Sequence, residues 1–252
     1  MKYKLIYKMF QTLDLCLCRC YDMPVELRTI IKSFFLCEIN DMTVKYAVIR
    51  YVRGNRDMCT LVYGPIEWWD TGKVTDMDML FFQKESFNSD ISRWDVSNVT
   101  SMASTFYGAS AFNQPIGKWN VSKVERMSNL FADAYHFNQP LNDWNVPKVK
   151  KMRNMFCNAI HFNQPLDNWD ISNVENMFQM FLNASSFNQP LDTWNLQSVV
   201  SIDRMFAYTA SFSYTFEPWL HNTPNLRSAN DLFLCSQHKQ MVTIPSRLLK
   251  FY

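Results

Sequence analysis

The chain has 252 residues, 48% of them hydrophobic, and a formal net charge of +2. That is enough apolar material for one sizeable core or two small ones, and it excludes a disordered chain. Residues 1–60 carry ten Lys or Arg against six Asp or Glu, and residues 61–252 fifteen against seventeen, a balance too slight to steer the molecule to nucleic acid or membrane.

In chain order, the opening MKYKLIYKMFQTLDLCLC is basic, but Lys8 and Asp14 interrupt what would have to be the apolar part of a signal peptide. The expectation is a cytoplasmic protein, with the cell surface as the alternative. That alternative would use Leu13 to Cys16 as a lipoprotein cleavage box, although Asp14 and Leu15 stand where small residues are wanted. No apolar run reaches the roughly 18 residues that a bilayer crossing needs. The seven cysteines, Cys16, Cys18, Cys20, Cys37, Cys59, Cys157 and Cys235, are odd in number and follow no period, which points to free thiols in a reducing compartment. Cys16, Cys18 and Cys20 alternate within CLCRC and lack the four ligands in paired spacing of a structural zinc site.

Two amphipathic helices are expected next. In MPVELRTIIKSFF, Leu27, Ile30, Ile31 and Phe34 fall on one face, with Pro24 in the first turn; in DMTVKYAVIRYV, from Asp41, so do Val44, Ala47, Val48 and Tyr51. Their role would be to cap the open end of a repeat array.

That array is visible from about residue 62, where the chain begins to repeat every 25 residues. FNQP occurs at 112–115, 137–140, 162–165 and 187–190, and with its Phe as position 0, position 7 holds Trp69, Trp94, Trp119, Trp144, Trp169, Trp194 and Trp219. Position 19 holds Phe81, Phe106, Phe131, Phe156, Phe181 and Phe206; Val99, Val124, Val149 and Val174 share position 12, and Met77 to Met177 position 15. Fixed apolar columns at this period are the mark of a solenoid whose stacked coils bury a continuous core. The last coil, from Phe212, carries two extra residues before Leu226, after which Phe233 takes the second Phe position.

Within a coil, PLNDWNV (140–146) reads L-x-x-W-x-V, predicting a short strand with Trp144 and Val146 inward and Asp143 and Asn145 outward. SKVERMSNLFADA (122–134) has helical apolar spacing, and Ser122 with Glu125, like Ser172 with Glu175, forms an S-x-x-E capping box that predicts a helix start. FNQP reads as a joint: a core Phe, an Asn suited to bonding a turn, and a Gln held extended by the Pro after it.

The string FNQPLDNWDISNVENMFQMFLNASSFNQP (162–190) resembles the 25-residue repeat of BspA-like leucine-rich-repeat proteins and mycoplasma-type lipoproteins, and the likeness runs from about Ala47 to Phe233. The resemblance implies a leucine-rich-repeat-like right-handed α/β solenoid of about seven coils and, for bacterial members, surface adhesion; it implies no catalytic residues. Pro24, Glu26, Leu27, Ile31 and Phe34 also resemble the opening P-x-E-L of an F-box, which would make them adaptor-binding residues of a ubiquitin-ligase component. The expected organisation is a Cys-rich segment 1–21, a helical cap 22–61, the repeats 62–236 and a cap or tail 237–252.

Few residues promise chemistry. Asp70, Asp95, Asn120, Asn145, Asp170 and Asn195 share position 8, where a column of acids would bind calcium but a mixed column more simply caps turns. His136 and His161 share position 24 without a third ligand, and KVKKMR (148–153) is basic in one coil only. No phosphate loop or nucleophile elbow is found, so no enzyme, cofactor or metal is expected. The expectation is a monomeric binding protein with a protein partner and no nucleic acid. Its contact residues would be those that vary beside fixed columns on the strand face: Arg93, Lys118, Asp143, Asn168 and Thr193 at position 6, and Ser92, Asn142, Asp167 and Asp192 at position 5.

Overall fold

The computed structural model describes residues 38–54, 56–214, 219 and 223–236. The CLCRC cysteines, the lipoprotein-like box, the F-box-like residues 22–36 and the segment 237–252 all lie outside the described residues.

Among the described residues, two helices precede the repeats. Helix α1 (Asp41–Val52) starts at Asn40, whose side chain accepts from the N–H groups of Met42 and Thr43 while the Thr43 hydroxyl accepts from the Asn40 N–H. Val44, Ala47, Val48 and Tyr51 form its buried face, the four the spacing selects. Helix α2 (Arg56–Tyr63) comes next and was not expected from the pattern; the buried Cys59 thiol donates to the Ala47 carbonyl at 3.6 Å. The pair closes over the first coil, with Tyr51 edge-on to Trp69 at 6.2 Å and Tyr63 at 5.6 Å from the same ring. Asp41 ties α1 down by accepting from the Thr75 N–H and hydroxyl and from the Asp76 N–H.

The 25-residue units then stack in parallel. One bridge per unit links Asp76, Ser101, Arg126, Lys151, Asn176 and Ser201 in turn, and the final step, Ser201 to Ser228, spans the two extra residues read from the sequence. Inside the stack run aromatic ladders. Neighbouring Phe rings at position 19 lie 5.4–5.6 Å apart from Phe81 to Phe206, and within a coil Phe106 and Phe112 stack at 4.0 Å. Offset stacking of this kind adds to the area each ring buries. Each Trp of the column is buried too, and from Trp94 to Trp219 its indole N–H finds the position-4 carbonyl one coil back, as from Trp144 to Ile116 at 3.1 Å, while Trp69 donates to the Gly64 carbonyl. A buried indole without that acceptor would cost about 1–3 kcal/mol.

Among the described residues, the short strand and short helix expected in each coil are not formed. Along Met102–Ala109 the N–H groups alternate: Met102, Ser104, Phe106 and Gly108 donate to the next coil at 2.8–3.0 Å, whereas Thr105, Tyr107 and Ala109 donate three residues back. Such alternation needs a left-handed backbone twice per coil, and positive φ occurs at Ser104 and Gly108, at Asn129 and Asp133, and at Asn154 and Asn158. An α-helix would turn every N–H inward along its own axis and leave the coils unbonded. The predicted capping boxes accordingly cap nothing: Ser122 bonds Asn120 through both its N–H and its hydroxyl, and the Glu125 N–H donates to Thr100 in the coil before.

The FNQP joint is a ladder of its own. The Asn138 side-chain oxygen accepts from the Asn163 N–H at 2.9 Å and from the Gln164 amide at 3.0 Å, and Asn88, Asn113 and Asn163 do the same for the coils after them.

Candidate interaction surface

The nine residues expected to make contacts occupy a turn, not a strand face. From Ile66 to Leu191 position 4 is buried Ile or Leu, position 7 is buried Trp, and the Trp backbone N–H closes back on the position-4 carbonyl at 3.0–3.2 Å from Trp94 through Trp194. With both ends pinned, positions 5 and 6 are the tip of the turn, so their side chains are half-buried or exposed from Glu67 and Trp68 through Asp192 and Thr193. The physical reason for the correction is that the carbonyl which closes the turn also accepts the next coil's indole, leaving no ladder of alternate N–H groups for a strand.

Stacking brings these residues into one row. Lys118 pairs with Asp143 at 2.8 Å, and that bond and charge hold the Asp143 carboxyl below its ordinary value. Asn142 donates to Asp167, the Asn168 N–H donates to Asn142, and the Thr193 hydroxyl reaches the Asp167 carbonyl. Ser92 bonds Asp90 through its N–H, and Asp192 is exposed. The Lys118 and Asp143 side chains are 87% and 69% exposed, so the pair adds little stability and is free to exchange for a partner's charge.

One member of the row escaped the sequence reading. Trp68 lies 25 residues before Arg93, at position 6 of the first coil, and is 63% exposed with the Arg93 guanidinium 4.0 Å above its ring. It is the one Trp outside the position-7 column, and the period alone would have placed it. Trp and Arg are the residue types most enriched at binding hot spots.

The other candidates resolve into structure. At position 8, Asp95, Asn120, Asp170 and Asn195 each accept from the N–H two residues on; Ser97 bonding holds Asp95 below its ordinary value, and Ser172 does so for Asp170. Asn145 makes no such turn because Pro147 has no N–H to offer. His136 and His161 are neighbours at 5.5 Å, with His136 Nδ1 on the Ser110 carbonyl. Among the described residues no three His, Cys, Asp or Glu side chains cluster as metal ligands. Burial pushes the Cys59 and Cys157 thiols up to about 11, which leaves both unreactive near neutral pH. No helix among the described residues is long and apolar enough to cross a membrane.

The family model of a Mycoplasma protein of unknown function, DUF285, matches residues 54–160 and again 139–243. The chain belongs to this family. The two matched stretches overlap by less than one repeat and together take in all the stacked coils. No curated protein matches the chain, and no solved structure does.

Proposed function

We propose that this is a non-enzymatic repeat protein, a right-handed leucine-rich-repeat-like solenoid of the BspA-like type, whose turn row binds another protein. What supports the reading most is the contrast inside the row. From Ile66 to Trp194, positions 4 and 7 hold only Ile, Leu and Trp, while between them position 6 runs through Trp68, Arg93, Lys118, Asp143, Asn168 and Thr193. The fold leaves position 6 free, so its chemistry can be set by a partner.

The test is a triple replacement, Arg93→Ser, Lys118→Ser and Asp143→Ser, used as bait beside the parent chain in affinity purification from the source cell. A protein retained by the parent and lost by the variant, at unchanged melting temperature, is the expected result; equal retention by both would remove the turn row from consideration. Cytoplasmic placement, surface adhesion after modification near Cys16, and an F-box-type role for Pro24, Glu26, Leu27, Ile31 and Phe34 differ only in where the same row is displayed. Cell fractionation separates the first two, and deletion of residues 1–40 with loss of a ubiquitin-ligase adaptor would mark the third.

A further inference from the structure

A second surface stands apart from the turn row. Lys123, Arg126, Lys148, Lys150, Lys151 and Arg153 are all exposed and come from two adjacent coils, at positions 11 to 16. Parallel pairing sets Arg126 beside Lys151, and the Lys150 N–H donates to the Glu125 carbonyl at 3.1 Å, so the two cationic stretches lie side by side.

The repeat supplies its own control for what these positions need. At position 11, Asn98 donates from its side chain to the Gly72 carbonyl at 2.8 Å, Asn173 to Pro147 at 2.9 Å, and Asn225 to Gln197 at 2.7 Å. Lys123 and Lys148 give up that bond between coils; Lys123 reaches only the Asn98 side chain, at 2.6 Å. At position 14 the flanking coils carry Ser101 and Asn176, and at position 16 Ala103 and Phe178, so the stack forms without a cation at any of these places. Arg126 reaches Asp78 at 3.3 Å and Arg153 lies over the Phe178 ring at 4.7 Å. Lys148, Lys150 and Lys151 make no ion pair among the described residues. Like charges crowded on neighbouring coils repel, and of the six cations only Arg126 is held in an ion pair among the described residues.

We propose that this face docks an extended acidic protein segment. Its charge pattern favours a peptide over a polyphosphate: Glu125 and Glu175 stand on either side of Lys150 in the same column. A nucleic-acid strand, negative at every residue, would have to pass both carboxylates. A peptide sets carboxylates against the lysines and neutral or basic side chains against the two glutamates. The net charge of +2 likewise gives the whole molecule little of the long-range pull that phosphate binders use.

The variant Lys148→Asn with Lys151→Asn gives this coil the residues its neighbour carries as Asn173 and Asn176, so it keeps the stack and restores a bond between coils. Fluorescence anisotropy of a labelled peptide alternating Glu and Gly, and of a labelled twelve-nucleotide oligo-dT, is measured on the full-length protein. The expected result is peptide binding at about 50 mM salt that fades by about 500 mM, and that weakens about tenfold or more in the variant while the melting temperature holds or rises. Equal peptide binding by parent and variant, no peptide binding by the parent, or tighter binding of oligo-dT than of peptide would each overturn the proposal.

Discussion

The interior of the stack and its turn row obey the same 25-residue period yet use it in opposite ways. Inside, a residue at position 7 or 19 touches its own copies above and below, so a change in one coil disturbs three. At the tip of the turn, between buried positions 4 and 7, a side chain meets its copies at the surface, through bonds such as Lys118 to Asp143 and through Arg93 over Trp68. Identity along the interior columns is therefore a packing requirement, and variety along the row is permitted by the same geometry.

The largest expected break in this comparison is Trp144→Ala. It removes a buried indole, the bond to Ile116 and the stacking partner of Trp169, and should cost about 3–5 kcal/mol by urea denaturation; an unchanged transition would mean that the interior columns do not hold the stack. Gly117→Ala probes the boundary between the two regions. Position 5 tolerates Ser92, Asn142 and Asp167, but a Cβ at Gly117 would overlap the Pro140 carbonyl of the next coil, so a loss of about 1–3 kcal/mol is expected in the same assay.

Asn138→Ala should cost about 1–2 kcal/mol by removing the acceptor of both Asn163 and Gln164. Asn88→Ala, nearer the end of the stack, should cost no more than this, and a larger loss there would show that the joint matters more at the ends than in the middle.

Asp41→Asn concerns the helical end and is a matter of pH. Burial alone would raise the Asp41 carboxyl, but the bonds from Thr75 and Asp76 and the nearby Lys45 outweigh it, and the group sits below its ordinary value of 3.8. The folded state thus favours the carboxylate: its stabilisation is complete above the unfolded value and is lost as pH falls through the lowered folded one. The variant should melt below the parent at pH 7, by about 1 kcal/mol or less in stability, and the gap should close as pH drops beneath 3.8. A gap unchanged at low pH would mean that shape, not charge, ties α1 to Thr75. The smallest effect belongs to the row itself: the triple change at Arg93, Lys118 and Asp143 should alter stability by no more than about 0.5 kcal/mol.

Much of this was legible in the primary sequence because a column of Trp or Phe at a fixed period can only be satisfied by stacking. The buried face of α1 was likewise readable, since Val44, Ala47, Val48 and Tyr51 have no other common geometry. Helix α2 was not, because eight residues, RDMCTLVY, carry too few apolar positions to set a period. The inter-coil Asn bonds at FNQP are half visible in the sequence: the Asn reads as a turn former, but its partner lies 25 residues away. Trp68 stands outside the interior Trp column, and only its place 25 residues before Arg93 marks it as a member of the row.

The sequence by itself determined the period, the interior columns, the extra pair of residues before the last Phe, and the positions free to vary, because those follow from which side chains avoid water. Only the tertiary structure decided how the backbone travels between them. Helical spacing at Val124, Met127, Leu130 and Phe131 is equally the spacing of a chain of turns, and the choice rests on where the N–H groups go. Within one coil a helix satisfies its own N–H groups. In a stack, every second N–H has an acceptor waiting on the next coil, as from Met127 to Lys151 and from Asn129 to Arg153, and the left-handed residues that aim them there outcompete the helix.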